Sequence, residues 1–215
     1  MDIGNWLGRW RRAVVDEFGA GRVRFMGIQG SRARGEAGSG SDIDVVLLLD
    51  ELSYSDAMRY RVCVESLPER DKLCGFVAGE QELKSWSRSE LYQFCLDTTP
   101  LAGSLDEYAA LVTERDILEG ALTSVGGIYH ACLHNALHER DDGMIAGLFK
   151  SAFFAIRAID RLETGRTLRT RRELTEARPD DAWLINGSAD GTFDEISERL
   201  FKWSSETLVK LGERV

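Results

Sequence analysis

The chain has 215 residues, 43% of them hydrophobic and 29% charged, with a formal net charge of −9. This composition is typical of a soluble globular protein and excludes an intrinsically disordered chain. The acidic balance argues against nucleic acid as the main partner, because nucleic-acid binders usually present a basic stripe. No apolar run reaches the ~20 residues of a membrane span, so we expect a cytoplasmic protein with no membrane partner.

The first hundred residues alternate helix and strand signals. Apolar residues from Trp6 to Phe18 recur at steps of three and four, which predicts an amphipathic helix that ends at the following glycines. A short apolar-rich run between glycines predicts a buried strand at residues 22–28, and a continuous aliphatic run predicts another at 43–49. A third short strand is predicted at residues 72–78, after the helix that Pro68 ends. Helical spacing predicts helices at 53–67, 80–86 and 89–96, and a turn is predicted at 98–103.

Strand signals disappear after Asp106. Long helices are predicted at residues 108–138, 144–162 and 193–211, and a helix-poor connection at 165–191 with one short helix near 171–177. We therefore predict an α+β protein, with an N-terminal mixed-sheet domain at residues 1–105 and an all-α helical bundle at residues 106–215. The four cysteines are irregularly spaced and predict free, mostly buried thiols.

Two acids stand at the start of the second predicted strand. Asp42 and Asp44 are two residues apart, and alternate side chains of a strand point to the same face. Two neighbouring carboxylates favour a divalent cation, and Mg²⁺ prefers a few carboxylate oxygens together with phosphate oxygens and water. The pair predicts a metal site of the kind that neutralises charge during phosphoryl or nucleotidyl transfer.

A glycine-rich segment precedes this pair and is typical of a phosphate-binding loop. Gly30 permits close backbone approach, and the Ser31 hydroxyl is suited to bind a terminal phosphate oxygen. Arg32 and Arg34 are candidates for charge-assisted phosphate contacts, or are simply exposed arginines on a short helix. Ser41 is expected to shape the entry to the second strand beside the nucleotide.

The stretch from Gly30 to Val46 resembles the glycine-serine and Asp-x-Asp signature of the DNA polymerase β-like nucleotidyltransferases. The order of an α/β domain followed by helices is similar to that of the small bacterial and antibiotic-modifying members. The resemblance implies that Asp42 and Asp44 are catalytic and bind two Mg²⁺ ions, and that Gly30 and Ser31 contact the nucleoside triphosphate. It also implies a lysine from the helical domain on the triphosphate, for which Lys150 is the candidate, although a solvated lysine is as good an interpretation.

The chain departs from the family pattern at two places. Gln29 stands before Gly30, where the family usually has an apolar residue. The family also has a third carboxylate on a later strand, but the predicted strand at 72–78 contains no acid. Asp71, Glu80 and Asp97 are the three alternatives, and the sequence does not rank them.

The resemblance implies transfer of a nucleoside monophosphate from a triphosphate, with ATP expected, to a hydroxyl of a small aminoglycoside-like acceptor. Pyrophosphate would be released, and the active site is expected at the seam of the two domains. Two alternatives stay open: an antitoxin-like enzyme that nucleotidylates a protein, and a nucleotide-binding protein without catalysis. The sequence identifies neither the acceptor nor the oligomeric state.

Overall fold

The computed structural model describes residues 2–215. Within this range the strands are β1 (Val23–Ile28), β2 (Ile43–Leu49), β3 (Leu73–Gly79) and β4 (Thr99–Ala102). The helices are α1 (Ile3–Phe18), α2 (Gly30–Ala33), α3 (Tyr54–Val64), α4 (Glu80–Lys84), α5 (Arg88–Asp97), α6 (Asp106–Ala109), α7 (Glu114–His134), α8 (Asp142–Thr164), α9 (Arg171–Ala177), α10 (Ala182–Asn186) and α11 (Phe193–Gly212). The predicted succession of a mixed sheet and then helices is confirmed.

The chain divides into two compact units. The first comprises Met1–Ser87 and Phe94–Leu111, and the second comprises Arg88–Gln93 and Val112–Val215. The continuous helix α5 thus contributes its first six residues to the second unit and its last four to the first.

The first unit is built on one four-stranded sheet with the order β3-β2-β1-β4. Strand β1 is antiparallel to β2 and β4, whereas β2 and β3 are parallel, so the sheet is mixed as predicted. Strand β2 is central and fully buried from Val45 to Leu49, which explains its uninterrupted aliphatic sequence. The predicted turn at 98–103 is wrong, because residues 99–102 pair with β1 as an edge strand despite Pro100.

Alternation along β2 sorts its side chains between two faces. Ile43, Val45, Leu47 and Leu49 point to the face that α1 covers with Trp6, Trp10 and Val14. The other face carries Asp44 at the edge nearest the glycine-rich loop, which lies outside that apolar cluster. The apolar face therefore fixes the register that presents Asp44 on the opposite side.

Helix α3 begins at a capping box formed by Ser53 and Asp56. The predicted helix is present, but the apolar residues that indicated it do not form its buried face. Tyr54 and Val62 are 80% and 75% exposed, and the helix buries Asp56 and Val64. Asp56 is held by Arg22, whose guanidinium lies 2.9 Å away and, with the Ser53 groups, lowers the pKa of that carboxyl. The inward face of α3 instead carries Tyr60, Cys63 and Val64, which pack in the core cluster that contains α1.

The second unit is a helical bundle in which α7, α8 and α11 carry the main core, including Val125, Phe153 and Leu200. The single helix predicted at 108–138 is wrong, since α6 ends at Ala109 and α7 starts anew from a capping box at Thr113. The connection at 165–191 contains α9, as predicted, and also α10. Across residues 2–215, no helix combines the length and apolar character needed to cross a membrane.

Candidate active site

The glycine-serine loop and the acidic strand meet directly in the first unit. The Gln29 N–H donates to the Asp44 carbonyl at 2.7 Å, which ties the end of β1 to the start of β2. Gly30 follows with φ of 71°, a left-handed conformation that favours glycine. A Cβ added there would lie 2.5 Å from Asp44 Oδ2. Gly30 is thus required twice, by its backbone conformation and by the carboxylate beside it.

Asp42 and Asp44 lie at the end of β2 that adjoins this loop. Asp42 is exposed and immediately precedes the strand, while Asp44 is half-buried as its second residue. If the extended backbone of β2 continues one residue before Ile43, the two-residue spacing places both side chains on the same side. Among residues 2–215, no three His, Cys, Asp or Glu side chains are clustered so that they alone hold a metal. The metal-binding role of Asp42 and Asp44 therefore stays a prediction from the sequence.

Arg32 and Ser41 organise the glycine-rich turn between α2 and β2. Arg32 donates to the carbonyl oxygens of Asp42 at 2.8 Å and of Ser41 at 2.5 Å. The Ser41 hydroxyl accepts the Gly38 N–H at 3.0 Å. These hydrogen bonds fix the backbone of the turn that leads into Asp42. The Ser31 hydroxyl, by contrast, makes no hydrogen bond within residues 2–215 and is half-exposed, so it is available to a ligand.

Strand β3 places a cysteine beside Asp44. Asp44 is matched with Cys74 in the parallel β2–β3 register, so the two side chains share one face of the sheet. The next residues of β3 on that face are Phe76 and Ala78, and neither carries a charge. Cys74 is exposed, contrary to the prediction of mostly buried thiols.

The three alternative acids occupy different places. Asp71 is exposed in the turn before β3, at the same end of the sheet as Asp42. Glu80 follows the other end of β3, six residues and about 20 Å along the strand from Cys74. There it pairs with Arg24 and Lys84. Glu80 is therefore excluded as a neighbour of Asp44.

Asp97 is the acid that contacts the glycine-serine loop. Its Oδ2 accepts the Gly30 N–H at 3.2 Å, and both of its oxygens lie 2.7 Å from Arg34 Nη1. Arg34 also donates from Nε to Glu36 at 2.8 Å. Burial, the largest influence on Arg34, lowers its pKa, but the two carboxylates outweigh burial and raise the pKa above the ordinary value. Sequence reasoning named Asp97 and Arg34 separately, and no local signal links residues 63 apart.

Lys150 and Arg157 lie seven residues apart on α8, so their directions around the helix axis differ by only roughly 20°. Lys150 is nevertheless exposed, whereas Arg157 is 1% exposed. Arg157 donates to Gln93 Oε1 at 2.6 Å and lies over the rings of Phe153 and Phe154. Gln93 of α5 and the Arg169 carbonyl oxygen accept from Arg157, so groups of two other segments cover this end of the side chain. Nothing within the second unit assigns Lys150 a ligand.

Comparison with known proteins agrees with this geometry. Residues 9–94, which include the loop, both acids and strands β1 to β3, match the family model of the nucleotidyltransferase domain. The fold is similar to the crystal structure of spectinomycin adenyltransferase from Enterococcus faecialis with ATP and spectinomycin, at a TM-score of 0.53 and 10% identity over 91% of this chain and 98% of that chain. No curated protein sequence matches the chain. Residues 9–94 are therefore similar to a nucleotidyltransferase domain, in agreement with the resemblance that the sequence predicts for residues 30–46.

Proposed function

We propose that the protein transfers a nucleoside monophosphate from Mg²⁺-ATP to a hydroxyl of a small acceptor. The acceptor oxygen forms a bond to the α-phosphorus, the bond between the α-phosphorus and the bridging oxygen to the β-phosphate breaks, and pyrophosphate leaves. The observation that carries the proposal is the close contact of the Gly30 backbone with the Asp44 carboxylate, with Asp42 two residues earlier in the sequence and exposed. Phosphate-binding backbone and metal-binding acids are thereby adjacent.

The residues present fit magnesium. Asp42 and Asp44 offer hard carboxylate oxygens, and the exposure of Asp42 leaves room for the phosphate and water ligands that Mg²⁺ retains. When bound, the ion neutralises charge on the phosphate oxygens. The Ser31 hydroxyl is positioned one residue after Gly30 to donate to a terminal phosphate oxygen. Arg32 keeps the Asp42 backbone in place rather than supplying the phosphate contact itself.

Three observations support a small, hydroxylated and cationic acceptor. The structurally similar adenyltransferase was solved with spectinomycin. The net charge of −9 favours a cationic partner. The second unit contains a cleft of about 360 Å³ whose lining includes Glu90, Tyr92, Gln93, Thr123 and Ser124. Such a mixture of aromatic, hydroxyl and carboxylate groups suits an amine-bearing polyol, and its volume is within the range of small-molecule sites.

The reaction is tested by measuring pyrophosphate release from ATP with a panel of acceptors that includes spectinomycin and hydroxylated aminoglycosides. We expect release that requires both Mg²⁺ and an acceptor and that stops on addition of EDTA. Transfer of labelled AMP to a protein, with no small acceptor active, would favour the antitoxin-like alternative. Metal-dependent ATP binding without pyrophosphate release under any condition would contradict the proposed reaction.

The position of the nucleotide is tested through the thiol of Cys74. Burial raises the pKa of Cys95 to about 11 and also raises that of Cys63, while Cys132 is buried. At pH 8 a thiol of pKa 11 has roughly 100-fold less thiolate than an ordinary one. We therefore expect one fast reaction with Ellman's reagent, absent in Cys74→Ser, and slowed by Mg²⁺-ATP because Cys74 adjoins Asp44. Unchanged labelling at saturating Mg²⁺-ATP would place the nucleotide elsewhere.

A further inference from the structure

The Asp97 carboxylate contacts both ends of the short helix α2, which carries Ser31. One oxygen accepts the N–H of Gly30, the first residue of α2, and both oxygens contact Arg34, the residue that caps its C-terminal end. The side chains of Arg34 and Asp97 are only 8% and 13% exposed. This is a shielded ion pair across the phosphate-binding loop, joining it to the end of α5.

The low exposure of Arg34 and Asp97 makes each charge depend on the other. A shielded carboxylate must be compensated, and here a guanidinium does so at 2.7 Å to both oxygens. Recruiting Asp97 as a metal ligand would draw its charge away from Arg34 and its oxygen away from the Gly30 N–H. The geometry accordingly favours a carboxylate that holds the loop over one that holds the cation.

The link to Gly30 also constrains the metal-binding acid indirectly. Gly30 lies so close to Asp44 that an added Cβ would collide with its Oδ2. A loop released from Asp97 changes both the backbone that packs on Asp44 and the direction of the Ser31 hydroxyl. The expected consequence is weaker nucleotide binding with the two metal-binding carboxylates themselves intact.

We propose that Asp97, acting through Arg34 and the Gly30 N–H, is a positioning residue for the nucleotide loop and not the third metal carboxylate. The proposal rests on the proposed function, in that it assumes Mg²⁺-ATP binds at this loop. Asp97 would thus hold the loop in place, whereas Asp42 and Asp44 would bind the metal.

The test compares Asp97→Asn, Arg34→Met and the double variant with wild type, using Glu17→Gln, which breaks the partly exposed pair with Arg59, as a matched control. Mg²⁺-ATP affinity is measured by calorimetry, and Mn²⁺ affinity without nucleotide by electron paramagnetic resonance. We expect each single variant to weaken Mg²⁺-ATP binding about tenfold, and the double variant to be no weaker than Arg34→Met alone, because both remove one interaction. In the absence of nucleotide, the Mn²⁺ affinity of each variant should stay within about twofold of wild type. Both the Mn²⁺ affinity and the Mg²⁺-ATP affinity of the control Glu17→Gln should also stay within about twofold.

Three results would overturn the assignment. A loss of Mn²⁺ affinity in Asp97→Asn as large as that in Asp44→Asn would make Asp97 a metal ligand. Additive effects of the two single variants, or unchanged Mg²⁺-ATP affinity in both, would show that the pair does not position the loop. If wild type binds no Mg²⁺-ATP, the proposed function fails separately. Amide hydrogen exchange then decides on positioning, with faster exchange at residues 29–36 expected in Asp97→Asn and unchanged exchange contradicting it.

Discussion

Replacing Asp44 by asparagine is expected to lower the rate of pyrophosphate release by about 10³-fold, because the charge that holds the cation is removed. Asparagine has the same shape as aspartate, so the contact with Gly30 and the strand register are preserved. Asp44 is half-buried at the start of the central strand, and its neighbour on β3 is a cysteine that cannot substitute as a hard oxygen ligand. The loss is measured as kcat at saturating ATP and acceptor.

Glu80→Gln is the matched control for this prediction. It also removes one carboxylate from the edge of the same sheet, but at the opposite end of β3, where Glu80 pairs with Arg24 and Lys84. Its pyrophosphate release should equal that of wild type. Comparable losses in Asp44→Asn and Glu80→Gln would show a general effect of charge on the domain. A fully active Asp44→Asn protein would exclude Asp44 from the metal site.

The acid that the family resemblance implies on a later strand is absent from β3. Cys74 is matched with Asp44 in the β2–β3 register, and no residue from Leu73 to Gly79 is acidic. The departure from the family pattern therefore extends along the whole strand.

The sequence predicted the parts of the site that are close together along the chain. Gly30, Ser31, Asp42 and Asp44 belong to the end of β1 and the start of β2, two adjacent strands joined by one short segment. Each strand is marked by its own apolar run, and the glycine is required by local backbone conformation. Local rules are sufficient for such a constellation.

Contacts between residues far apart in the sequence could not be predicted from local patterns. Residues 98–103 are predicted as a turn, and it is the pairing of residues 99–102 with β1 that makes them the strand β4. The contact of Asp97 with Gly30 spans 67 residues, and the match of Cys74 with Asp44 depends on a parallel register that neither segment encodes alone. The burial of Arg157 and exposure of Lys150 likewise depend on what covers α8 and not on helical periodicity.

Replacing Gly30 by alanine is expected to abolish metal-dependent nucleotide binding while leaving the protein folded. Two effects combine at this residue. The left-handed φ of 71° costs an alanine about 1 kcal/mol, and the new Cβ would lie 2.5 Å from Asp44 Oδ2. Asp44 must then rotate away or the loop must withdraw from β2, and either change separates the Gly30 backbone from the Asp44 carboxylate, the two groups proposed to bind the nucleotide and the metal. Mg²⁺-ATP affinity by calorimetry should fall at least about 100-fold.

Gly35→Ala separates the two effects because the chain offers an almost matched backbone. Gly35 has φ of 72° at the other side of the same loop, and an added Cβ there meets no atom within 4 Å. Both variants should lose the thermal stability that alanine costs in the left-handed conformation, and Gly30→Ala should lose more because of its clash with Asp44. Only Gly30→Ala should lose nucleotide binding, because only there does the side chain meet Asp44. Equal losses of Mg²⁺-ATP affinity in the two variants would mean that loop flexibility, and not the fit between Gly30 and Asp44, governs the site.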